Sequence, residues 1–134
     1  TALHVNARMD ADWARWVDFI GPRPEVKAVA FEFATGGRFK ERREEFIENL
    51  TALGEACGRR LRLFLRGGVR AMKALGSSYA SVTLLDTGPF MKTVMRHRLL
   101  PTASGAGSVP TWTMRDQPID DLLTENIGIS DRRV

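Results

Sequence analysis

The stretch Leu61-Arg62-Leu63-Phe64-Leu65-Arg66-Gly67-Gly68 decides the fold. Its leucines fall at every second position, the period that puts successive side chains on opposite faces of a strand. Two glycines stop the run, and Val69, Met72 and Leu75 follow at helical spacing. Strand, glycine turn and helix make one β-α unit.

The flanks repeat the unit. Upstream, Val26 to Phe33 reads as a strand with Val29, Phe31 and Phe33 on one side and Ala28, Ala30 and Glu32 on the other. Thr35-Gly36-Gly37 turns into a helix whose stripe is Phe46, Leu50, Leu53 and Cys57, with a charged opposite face from Lys40 to Glu48. Gly58 stands where a helix C-cap is expected. Before that, Ala2 to Asn6 is a short strand. Asp10 then caps a helix bearing Trp13, Trp16, Val17 and Ile20, which Gly21-Pro22 ends.

Downstream, Ser81 to Leu85 is the fourth strand. Asp86-Thr87-Gly88-Pro89 opens a helix lined by Phe90, Met91, Val94, Met95 and Leu99. The rhythm then breaks. Residues 101–110, rich in Pro, Gly and Ser, are expected as a flexible loop. Residues 111–134 are expected as a strand at 111–114, a helix at 118–127 on Ile119, Leu122, Leu123 and Ile127, and a frayed tail from Ser130.

Strands joined by helices imply crossovers and a mostly parallel sheet. The expected fold is therefore one α/β domain with four or five strands. Residues 1–100 form its core of four β-α units. An open, three-layered sheet is expected ahead of half of a β/α barrel completed by a partner or a second copy, because a half barrel leaves an edge strand and one apolar face exposed unless it is paired. The rhythm resembles part of a (β/α)-barrel enzyme in architecture only, which does not fix function. The expected core is Leu3, Val5, Trp16, Ile20, Val29, Phe31, Phe33, Leu50, Leu53, Leu63, Leu65, Val82 and Leu84.

Length and composition agree with this reading. The chain has 134 residues, 43% apolar and 27% charged, an ordinary globular balance. Only Cys57, His4 and His97 are available as soft ligands, so neither a disulfide framework nor a His/Cys metal site is expected. No cofactor is expected. No apolar run reaches the length of a membrane span, so no membrane partner is expected. The chain starts at Thr1 with no methionine or leader pattern, as a trimmed chain does, and a cytoplasmic location is expected.

Charge is uneven within the net +4. Residues 56–115 carry ten basic side chains against Asp86 alone, whereas both flanks are acidic on balance. A block of one sign attracts a polyanion. The expected function is binding of a phosphate-bearing partner, foremost nucleic acid, through the basic 59–98 block. The alternatives are an enzyme acting on a phosphorylated small molecule at the strand carboxyl ends, or a small subunit docking an acidic protein. A homo-oligomer or protein partner is compatible with each. The competing structural reading is that the acidic ends neutralise the block.

Ligands of parallel α/β folds bind at strand carboxyl ends. Here these carry Asn6-Ala7-Arg8, Glu32 to Gly37, Arg66-Gly67-Gly68 and Asp86-Thr87-Gly88. The turns at Gly36-Gly37, Gly67-Gly68 and Gly88 allow a phosphate close approach, although glycine is common there for geometry alone. The anion-binding candidates are Arg8, Arg38, Arg62, Arg66, Arg70, Lys73, Lys92, Arg96, His97 and Arg98. Arg70 and Lys73 share one helix side, and Lys92 and Arg96 are expected one turn apart on the next. Glu32 and Asp86 are the candidate bases, with Arg66 as an anion clamp or as the partner of Glu32 in a structural ion pair. Phe64 stands between Arg62 and Arg66, a pattern of nucleic-acid-binding sheets that helices on both sheet faces would mask. Cys57, His4, Trp13 and Trp16 read as core. No P-loop, dinucleotide fingerprint, nucleophile elbow, RNP motif or zinc spacing is present.

Overall fold

The leucine-alternating stretch forms strand β3, Arg62–Arg66, in the middle of a four-stranded parallel sheet. A computed structural model describes residues 2–33, 40–102, 105–112 and 118–132. The other strands are β1 (Ala2–His4), β2 (Ala28–Glu32) and β4 (Ser81–Leu85), and the sheet order is β1-β2-β3-β4. Helices α1 (Asp10–Ile20), α2 (Lys40–Ala56) and α3 (Met72–Leu75) make the crossovers, α3 being preceded by a 3-10 turn at Val69–Ala71. With a small antiparallel pair further on, this is the expected α/β class.

The strand order separates the two expected forms of that class. Each crossover moves one place in the same direction, and right-handed crossovers then leave every helix on one face. α1 packs on α2 and α2 on α3. Within this part of the chain the arrangement is that of a half barrel rather than of a sheet with helices on both faces. Burial along the strands agrees. In β3, Leu63 and Leu65 are fully buried, Arg62 and Arg66 are exposed, and Phe64 is intermediate.

The chain divides into two compact units, Thr1–Leu85 and Asp86–Val134. The core of the first contains the expected Val5, Ile20, Val29, Phe31, Phe33, Leu50, Leu53, Leu63 and Leu65, with Leu3, Trp16, Val82 and Leu84 packed at its margin. It also contains Leu61, Leu75 and Tyr79, which the expected core did not include. The Tyr79 hydroxyl donates to the Leu50 carbonyl at 2.6 Å, satisfying the one polar atom that its burial would strand. Gly68 is dictated by packing. Its φ is +70°, and a Cβ there would meet the Phe33 ring at 2.5 Å. α1 starts one position earlier than expected, so Asp10 is its first residue and not its cap. Met9 precedes it as N-cap, and the carboxylate of Asp12 accepts the Arg8 and Met9 backbone N–H groups. Those two hydrogen bonds hold the Asp12 carboxyl below its usual value.

The second unit departs further from expectation. α4 (Gly88–Val94) is short, and the segments expected as helix end and flexible loop instead form a hairpin of β5 (His97–Thr102) and β6 (Gly105–Pro110). Arg96 makes the break. It adopts φ +58°, a left-handed conformation normally filled by glycine, and its N–H bonds the Thr93 carbonyl at 2.8 Å. Leu99 therefore belongs to a strand. Phe90, Met91, Val94 and Met95 are exposed rather than packed, while Pro89 and Thr93 form the buried side of α4. Small Gly, Ala and Ser side chains hid the β6 pairing, because they give no hydrophobic alternation. α5 spans Asp120–Asp131, so Ser130 and Asp131 lie in the helix and not in a frayed tail. Thr111 and Trp112 are outside the strands, and the rest of the expected 111–114 strand lies outside the described residues.

Candidate functional site at the strand carboxyl ends

The carboxyl end of β1 places His4 at solvent, not in the core where its strand position suggested. The chain continues through Asn6, Ala7 and Arg8 into α1, with the Val5 N–H donating to the Ala30 carbonyl and the Trp16 indole donating to the Asn6 carbonyl. Asp12 fixes the end of this segment through the Arg8 backbone. β2 ends on Glu32, and the Phe33 N–H reaches the Arg66 carbonyl at 2.9 Å. α2 supplies Phe46 and Arg42. The Phe46 ring packs edge-on against Phe31 at 5.2 Å, and the Arg42 guanidinium lies 5.8 Å from the Phe46 centroid.

These elements enclose a cleft of about 410 Å³. Phe31 and Phe46 line its apolar base, and His4, Asn6, Arg8, Glu32 and Arg42 supply its polar groups. Glu32 is held from the side by Arg66 at 2.9 Å. That pair is the register partnership Glu32–Arg66 of two parallel strands. Its groups are about a quarter and a half exposed, so it orients the carboxylate more than it stabilises the fold.

Of the residues marked in the sequence, Arg8, Glu32 and Arg66 meet at this end of the sheet. Arg42 and His4 are additions. Arg42 was concealed in the charged face of α2, and His4 by its position within a strand. Gly36, Gly37 and Arg38 lie outside the described residues. Arg62 stands at the opposite, amino end of β3. Arg70 and Lys73 are exposed on the 3-10 turn and on α3.

The second unit holds the remaining candidates, and most have local duties. Asp86 accepts the Gly88 N–H at 2.8 Å and the Ser130 hydroxyl at 2.5 Å, tying the start of α4 to α5. Arg98 pairs with Glu125 at 3.0 Å, and His97 Nδ1 lies 3.3 Å from the Ser108 hydroxyl. His97 and Arg98 are on β5, and Arg96 lies beyond the end of α4. The expected one-turn pairing of Lys92 with Arg96 on a single helix is therefore not formed. Two further members of the basic block have structural roles. Arg59 donates to the carbonyls of Ile20, Gly21 and Arg23, closing the end of α1, and Arg60 donates to those of Ser77 and Tyr79.

Among the described residues no group of three His, Cys, Asp or Glu side chains is placed to hold a metal ion, and no helix is long and apolar enough to cross a membrane. Burial pushes the Cys57 thiol above its usual range, the opposite of an activated nucleophile. Comparison with known proteins finds no family model, no curated protein and no solved structure that matches the chain.

Proposed function

We propose that the protein binds a phosphate-bearing ligand in the carboxyl-end cleft of its parallel sheet. The observation that carries this reading is the convergence of Arg8 and Arg42, from two separate elements, with His4 and Asn6 in one cleft whose carboxylate is held by Arg66. Guanidinium groups match phosphate oxygens with paired N–H donors. The aromatic base supports the same side chains from below and favours an organic body on the ligand. Part of the basic block of the sequence is less suited to the task, because Arg59, Arg60 and Arg98 are engaged elsewhere.

The enzyme reading uses the same cleft. Glu32 is the carboxylate that lines it, and Arg66 fixes its orientation. A base so placed requires a proton donor on the ligand within hydrogen-bond reach.

Isothermal titration with inorganic phosphate, pyrophosphate and a nucleoside monophosphate at low salt tests the proposal. Saturable binding is expected. Arg8→Ala and Arg42→Ala are each expected to weaken it about tenfold or more, the worth of a hydrogen bond to a charged group. Both side chains are exposed, so the fold should survive the changes. Equal binding by the double variant would place the phosphate elsewhere.

A further inference from the structure

The face of the parallel sheet opposite α1, α2 and α3 carries a second feature, independent of the cleft reading. Parallel sheets are ordinarily covered on both faces, and their strands are then apolar on both. Here the helix-covered face is apolar, with Val29, Leu63 and Leu65 fully buried. The other face is not. Its central strand presents Arg62, Phe64 and Arg66 in succession, about 6.6 Å apart along the strand. In register beside them are Ala28 and Ala30 on β2 and Ser81 and Thr83 on β4, with Glu32 and the exposed Leu85 on either side of Arg66 at the carboxyl end. An aromatic ring between two guanidinium groups thus forms a ridge, with short side chains beside Arg62 and Phe64.

We infer that this ridge binds single-stranded nucleic acid, with a base stacked on Phe64 and phosphates held by Arg62 and, in part, by Arg66. Charge complementarity selects this occupant. A second copy of the chain docked through the same face would bring like guanidinium groups together and strip them of water. An apolar cover would leave Arg62, Ser81 and Thr83, all exposed, without solvent or partner. A single strand offers phosphates to the arginines and a flat apolar surface to the ring. Arg62 has no carboxylate partner among the described residues, whereas Arg66 shares its charge with Glu32. A duplex keeps its bases stacked inside and has no such surface to offer Phe64.

The test is fluorescence anisotropy with labelled oligothymidylate and oligouridylate of about 12 nucleotides, against a duplex of equal length. Wild-type protein is expected to prefer the single strands. Phe64→Leu keeps the apolar bulk but removes the aromatic face, and should weaken binding roughly 5- to 150-fold without altering the salt slope. Phe64→Tyr should restore it. Arg62→Gln should lower the slope of log affinity against log salt by about 0.7. Arg42→Ala should weaken phosphate binding in the cleft and leave oligonucleotide binding intact, so the two readings fail separately. The inference is overturned if wild-type protein binds no single strand at low salt, if Phe64→Leu binds as wild type does, or if the duplex binds as tightly.

Discussion

The two compact units reach order by different means. The first places its helices on one face of a parallel sheet and buries Ile20, Leu50, Leu53, Leu63, Leu65 and Tyr79 almost completely. Among its described residues the second contains few buried large side chains, and Phe90, Met91, Val94, Met95 and Ile127 are exposed. Its centre is a polar residue. Asn126 is fully buried; its carbonyl accepts the Leu99 N–H at 2.7 Å, and its amide donates to the Thr93 hydroxyl and the His97 carbonyl, each at 2.9 Å. One side chain thereby joins α4, β5 and α5. The hydrophobic effect organises the first unit over a wide area and without direction. In the second, a few directional bonds replace missing apolar surface, and each matters because a buried group left unpaired is costly.

The largest expected effect lies in the first unit. Leu63→Ala removes a fully buried side chain between β2 and β4 and should lower stability by about 2–5 kcal/mol, read from urea unfolding. A loss below about 1 kcal/mol would mean that the sheet is not packed as described.

Next is the polar centre of the second unit. Asn126→Ala leaves the Leu99 N–H and the His97 carbonyl without their partner and should cost about 2–3 kcal/mol. Amide hydrogen exchange at Leu99 reports it directly, and unchanged protection there would remove the distinction between the units.

Tyr79→Phe is smaller, about 1 kcal/mol, for one hydrogen bond to the Leu50 carbonyl. It also has a pH signature. Burial holds the Tyr79 phenol well above its usual range, so only the unfolded chain ionises there as pH first passes about 10. The contribution from keeping this phenol neutral is full below that pH and lost as pH rises further. The Tyr79→Phe variant should show a blunted alkaline decline by circular dichroism; an identical pH profile in both proteins would contradict the burial.

These contrasts also explain what could be read in advance. The first unit was legible because its signals are periodic: leucines every second residue in β3, and Phe46, Leu50, Leu53 and Cys57 along α2. Tyr79 escaped notice because a lone aromatic beside Ser77 and Ser78 has no period. The second unit was largely illegible. Arg96 turns the chain where no glycine announces it, β6 is made of small residues, and nothing marks Asn126 as buried. At the cleft, Glu32 and Arg66 were visible because equivalent ends of neighbouring parallel strands meet. Arg42 was not, since one arginine in a charged helix face looks like solvent contact until Phe46 is seen beneath it. The basic block was conspicuous in the sequence, but charge along a chain does not say which guanidinium groups already hold carbonyls.

A phosphate titration followed by amide NMR sets the cleft directly against that block. Saturable shifts are expected at His4, Asn6, Arg8, Glu32 and Arg42, with the signals of Lys92, Arg96 and Arg98 unmoved. Shifts confined to the basic segment, or none at any phosphate concentration at low salt, would contradict binding in the cleft.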